Sequence, residues 1–134
     1  MAQAQTAQAN KELVTAGYEA FSRGDMETVR AMWTDDIEWV IPGRNPLAGT
    51  YRGPDAIMGF FAKLMDLSGG SFQLEVRDVM ASDDHVAVLV HAKAERQGRT
   101  LDAEGAHVWD MRGGKASRFV GLDVDQYADD EFWS

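Results

Sequence analysis

Residues 86–111 run VAVLVHAKAERQGRTLDAEGAHVWDM. Val86, Val88, Val90, Ala92 and Ala94 alternate with a set that includes His91, Lys93 and Glu95. A period of two places successive side chains on opposite faces of a strand, so the first set faces a core and the second faces outward. Gln97-Gly98-Arg99 then breaks the run as a turn. Beyond it, Leu101, Ala103, Gly105, His107, Trp109 and Met111 share one face, and Asp102, Glu104 and Asp110 lie on the other. Two long strands joined by so short a turn pair antiparallel. His107 is a polar side chain on an otherwise apolar face.

The same period extends on both sides. Strands are expected over about Ser71 to Ala81 and Ala116 to Asp125, with turns at Ser82–His85 and Arg112–Lys115. In the last strand Phe119, Gly121 and Asp123 share a face, and Arg118, Val120 and Leu122 share the other. The pattern alone does not choose the inner set, but if Phe119 points inward, so does Asp123. Upstream, Leu13, Val14, Gly17, Tyr18 and Phe21 recur at helical spacing. Met26, Val29, Met32 and Trp33 form the apolar set of a second helix capped by Asp25. Gly53-Pro54-Asp55 opens a third, with Ile57, Phe60, Phe61, Leu64 and Met65. A short strand, Ile37 to Ile41, sits between the second and third helices and turns Ile37, Trp39 and Ile41 inward. The loop Arg44 to Arg52 follows. Helices first and then a strand meander define an α+β class: a curved antiparallel sheet closed by three helices from the N-terminal half.

The chain has 134 residues, 13 Lys+Arg against 22 Asp+Glu, a formal charge of −9, and no Cys. That length fits one domain, expected over 7–134 behind a flexible arm at 1–6. The missing cysteines exclude thiolate nucleophiles and thiolate metal sites. The acidic balance argues against nucleic acid and against anionic membrane surfaces. No apolar run reaches the ~18 residues of a spanning helix. The opening MAQAQTAQANKE lacks the basic and apolar regions of a secretory signal, so a cytoplasmic protein is expected. His85, His91 and His107 do not converge at any ligand spacing, and no metal is expected. No phosphate-binding glycine loop appears, and any chemistry is expected to run without a cofactor.

Ala92, Ala94, Ala103, Gly105 and Gly121 are small residues on the inward face. They leave volume for a pocket unless bulky helix residues fill it. Its expected walls are Trp33, Trp39, Trp109 and Phe119, with Ile41, Phe60 and Val90 completing the lining. Tyr18 or Tyr51 is placed to bond a substrate oxygen. His107 and Asp123 are the candidate catalytic pair, with His107 as acid/base and Asp123 orienting it or acting in its place. The plainer expectations are a buried His107 bonded to backbone or to Tyr18, and a solvated Asp123 at a strand end. Phe132 and Trp133, in the acidic tail that begins at Asp129, are expected to fold back on the pocket mouth or on a partner.

YEAFSRGD at 18–25, WTDDIEWVIPG at 33–43, YRGPDAI at 51–57 and HVWDMRGGK at 107–115 occur in an order that resembles the SnoaL-like, nuclear transport factor 2-like proteins. The likeness covers about residues 10 to 130. It implies a cone-shaped, cystatin-like roll around a deep apolar pocket, and a homodimer through the outer sheet face. Ketosteroid isomerase shares that superfamily. Its oxyanion Tyr falls on Gly17 here, beside Tyr18, and its base Asp falls on Ile41. Its protonated Asp falls on His107 or Ala106, depending on which turn the count starts from. Steroid isomerisation by that route is therefore not expected. SnoaL-type polyketide cyclases use a late acidic residue as acid/base, and Asp123 resembles it. Limonene-epoxide-hydrolase-like members need an inward Arg, whereas Arg118 has outward parity and Arg99 sits in a turn. The function expected from the resemblance is isomerase or cyclase chemistry on a small hydrophobic carbonyl or polyketide-like compound. The alternatives are a non-catalytic small-molecule binder or an epoxide-hydrolase-like enzyme.

Overall fold

The computed structural model describes residues 6–134. Three helices occupy the N-terminal half: α1 (Ala7–Ser22), α2 (Met26–Ala31) and α3 (Pro54–Leu67). Thr6 caps α1, its hydroxyl accepting from the Ala9 N–H at 3.1 Å. Of the expected arm, 1–5 lie outside the described residues, and Thr6 belongs to the helix. Asp25 caps α2 by accepting from the Thr28 N–H, and Pro54 opens α3 where a missing N–H costs nothing.

The sheet contains β1 (Trp33–Ile41), β2 (Gly49–Arg52), β3 (Gln73–Ala81), β4 (His85–Arg96), β5 (Arg99–Arg112) and β6 (Lys115–Asp123). Its order is β2-β1-β6-β5-β4-β3. The β3–β6 meander is antiparallel throughout. β1 runs parallel to β6, so the sheet is mixed rather than wholly antiparallel. No hairpin joins those two strands, and nothing in the local pattern sets their direction.

Three further elements depart from the sequence expectation. α2 ends at Ala31, and Trp33 begins β1 opposite Ala116 instead of closing the helix. β2 is a four-residue strand inside the expected 44–52 loop, paired with the end of β1. The tail forms a fourth helix, α4 (Gln126–Trp133), capped by Asp125. α4 packs against β5 and β6, α1 against β3 and β4, and α3 against β1 and β2. Phe132 and Trp133 are 4% and 3% exposed, folded back onto the domain as expected. Asp129, the first acid of the expected tail, is only 8% exposed.

The β5–β6 turn fixes the register that matters for the site. Gly113 and Gly114 have φ of +59° and +79°, which a two-residue hairpin turn of this hand requires. Counting outward from it places His107 opposite residue 120. A register shift between Asp110 and Met111 advances the pairing by one, so His107 faces Gly121 and Gly105 faces Asp123.

Candidate functional site

Between helices and sheet lies a cavity of about 150 Å³. Parity selects most of its sheet wall: Val90 and Ala92 from β4, Ala103, Gly105, His107 and Trp109 from β5, Phe119, Gly121 and Asp123 from β6, with Leu122 of the opposite set also bordering it. The inner set of β6 is thus the one containing Asp123. Ala106 belongs to a groove on the other face, which places His107 at the inward position of β5. The small residues do leave space, except Ala94, which is buried away from the cavity.

Of the expected ligand-contacting residues, Tyr18, Trp39, Ile41, Phe60, Val90, Trp109 and Phe119 line the cavity. Trp33 and Tyr51 do not. Trp33 stands behind Trp39, ring centroids 5.6 Å apart, because its place in β1 turns it into the core. Tyr51 packs on Phe60, and its hydroxyl donates to the Leu47 carbonyl at 2.8 Å. Trp39 stacks on Phe119 at 3.7 Å, and Trp109 meets Phe119 edge-on at 4.7 Å. These rings make one wall rigid and apolar.

Gly17, where the isomerase tyrosine would fall, lines the cavity without a side chain of its own. A Cβ built there would run into the Met32 side chain, which occupies that space. Tyr18, one residue on, reaches the cavity. The Trp109 indole N–H donates to the Tyr18 oxygen at 3.1 Å. The tyrosine oxygen receives that bond, and its own proton has no acceptor among the described residues other than His107 Nδ1 at 2.6 Å, so the hydroxyl donates there. His107 is therefore held with Nδ1 as acceptor and Nε2 as the protonated nitrogen. No protein acceptor takes Nε2 among the described residues, which leaves it for a cavity ligand. Burial pushes the His107 pKa down to about 3 and raises that of Tyr18, so both stay neutral.

No hydrogen bond joins Asp123 to His107 among the described residues. Asp123 lies two residues further along β6 than Gly121, about 7 Å along the strand. Its partner is Asp129 of α4, which also lines the cavity. Asp129 Oδ1 accepts from the Trp133 indole N–H at 3.1 Å. Burial and the Asp129 charge push Asp123 up to about 7, and burial raises Asp129 too. Asp129 was absent from the sequence candidates. The only signal for it was an Asp at helical spacing with Phe132 and Trp133, after a capping Asp125.

No Lys or Arg lines the cavity among the described residues, and Arg118 is exposed on the outer face. No group of three or more His, Cys, Asp or Glu that could hold a metal ion is found among them. No helix is long and apolar enough to cross a membrane.

An α+β roll closing on an apolar cavity with a few buried polar groups is the NTF2-like, or cystatin-like, class of fold. The model of the SnoaL-like domain matches residues 14–119, and the chain belongs to that family. Bal32a, from a soil-derived mobile gene cassette, is 35% identical with a TM-score of 0.91, covering 96% of this chain and 98% of that one. TerC, co-crystallised with polyporic acid, is 30% identical with a TM-score of 0.82, covering 92% and 97%. An uncharacterised protein of Mycobacterium tuberculosis is 28% identical over 130 residues, 96% of this chain and 99% of its own.

Proposed function

We propose that the protein is an acid/base enzyme that moves a proton next to the carbonyl of a small, uncharged, hydrophobic compound. The observation that carries this reading is the division of the cavity's polar groups. One end offers a neutral imidazole N–H, fixed by Tyr18 and Trp109. The other offers a carboxyl poised near neutral pH. A cavity without a cation disfavours an anionic ligand, and its aromatic wall favours a flat one. TerC's co-crystallisation with polyporic acid supports a small organic ligand for this fold.

In the proposed reaction the ligand's carbonyl oxygen accepts from His107 Nε2–H. Asp123, as carboxylate, takes a proton from the adjacent carbon. The enolate charge that develops on oxygen is stabilised by the imidazole N–H, whose donor needs no rearrangement. Asp123 then returns the proton to another carbon of the conjugated system, which is isomerisation. Alternatively the enolate carbon attacks a second carbonyl of the same molecule and Asp123 protonates the new alkoxide, which is ring closure. Both routes conserve atoms and electrons without a cofactor. The base form of Asp123 gains population as pH rises through about 7, so the rate rises over the same interval.

The test is deuterium uptake at the α-carbon of one- and two-ring cyclic ketones in deuterium oxide, followed by NMR. The native protein is expected to accelerate uptake, and Asp123→Asn to lose about 10²–10⁴-fold. Ketone binding, read from tryptophan fluorescence, with no uptake would favour a non-catalytic binder. Uptake unchanged by Asp123→Asn would remove Asp123 from the mechanism.

A further inference from the structure

Asp123 and Asp129 share a side-chain hydrogen bond. An ionised carboxylate can only accept, so this contact needs a proton on one of the two. The other donors decide which. Asp129 Oδ1 takes the Trp133 N–H at 3.1 Å, and the Gln126 amide nitrogen, bonded to Asp130 at 2.9 Å, lies 3.4 Å from its Oδ2. No N–H donates to Asp123 among the described residues. Asp129 is thus the carboxyl furnished with donors for a negative charge, and Asp123 is the one that carries the proton.

The helix that presents Asp129 is held at both ends. Asp125 caps its start, accepting from the Ala128 N–H at 3.1 Å. Arg99 donates to the Glu131 carbonyl and to Ser134 Oγ, and Arg96 to the Ser134 carbonyl at 3.3 Å. On the flank, Asp130 Oδ1 receives the Arg44 and Asn45 N–H groups at 2.9 and 2.8 Å. Gly43, at φ +113°, allows that approach, since a Cβ there would strike Asp130 and Gln126.

We propose that Asp129 is a positioning residue for this site: held by the Trp133 N–H, it is the anionic member of a one-proton carboxyl pair and keeps that proton on Asp123. The inference rests on reading Asp123 as the acid/base of the cavity. The remaining groups around the pair do not reverse it. Asp130 adds a second, more distant negative charge from α4, and its own bonds to the 44–45 loop keep it ionised. β5 contributes His107, which is neutral, and the outer groove that Asp123 also borders holds Glu104 of β5 and Arg77 of β3, the latter already bonded to Glu75 and His91. β6 contributes Arg118, exposed on the outer face. Arg44, from the loop, acts on Asp130.

The experiment is a pH titration of the two side-chain carboxyl carbons by NMR in the ligand-free protein, native and Asp129→Asn. In the native protein one carboxyl proton is retained to near neutrality. In Asp129→Asn the Asp123 midpoint moves acid by about one pH unit or more, because the like charge is gone. An unmoved Asp123 midpoint in a folded variant would overturn the proposal. So would two ordinary carboxyl midpoints in the native protein, a result that needs no variant to fold. The titration involves no ketone, so it fails separately from the functional reading. A shared proton without deuterium uptake would leave the pair standing and remove the enzyme.

Discussion

The two ends of the cavity are buried in the same apolar wall, and burial does opposite things to them. At the His107 end it removes a charge: the imidazole stays neutral down to about pH 3, bonded in series to Tyr18 and Trp109. At the Asp123 end it retains a proton up to about pH 7, with the neighbouring Asp129 reinforcing the effect. Desolvation disfavours whichever form is charged. One environment therefore makes the histidine a fixed donor and the aspartate a group that titrates near neutrality. Residue type alone ranks them the other way round, since free histidine is the side chain that titrates near neutrality.

Three results would break or sharpen that contrast. The loss of α-carbon deuterium uptake in Asp123→Asn is the largest expected. His107→Phe comes next. Removing one preorganised donor to a developing oxyanion costs about 10²–10³-fold in rate. The pH at which the rate rises should stay where it was, because the titrating group is elsewhere. A rise that disappears in His107→Phe would make the histidine the base and reverse the assignment.

The smallest effect concerns stability. Between pH 6.5 and about 3 the unfolded chain protonates His107 and the folded one does not, so this residue makes stability rise with pH. Between pH 3.8 and about 7 the folded chain keeps the Asp123 proton that the unfolded one has lost, so this residue makes stability fall with pH. Over the shared interval the slopes oppose, each at most about 1.4 kcal/mol per pH unit. Urea unfolding from pH 4.5 to 6 should show their separation. Asp123→Asn should become more stable with rising pH relative to the native protein, and His107→Phe less stable. Parallel curves for both variants would mean that the two groups titrate alike in the folded and unfolded chain.

The placement of both residues was legible in the sequence, but not the division of roles, since the pattern put His107 forward as the acid/base. The period of two over 86–111 placed His107 inward, and the parity of 119, 121 and 123 tied Asp123 to Phe119. The distance between them was not legible, because the register shift at Asp110/Met111 leaves no mark in the pattern. Trp33 was assigned to a helix because 26, 29, 32 and 33 fit helical spacing. Pairing with Ala116 claims it for β1 instead. β2 is too short and too exposed to announce itself. α4 was hidden by its acids: Asp129 occupies the buried face together with Phe132 and Trp133, where an apolar residue would have shown the helix. The partner of Asp123 was missed for that reason.

The most direct test is the protonation state of His107, read from its ring-nitrogen NMR shifts between pH 8 and pH 4. The structure predicts a neutral ring throughout, protonated on Nε2, with Nδ1 showing the shift of an acceptor. A ring that gains a proton near pH 6.5, or carries its hydrogen on Nδ1, would contradict the division of roles between the two ends of the cavity.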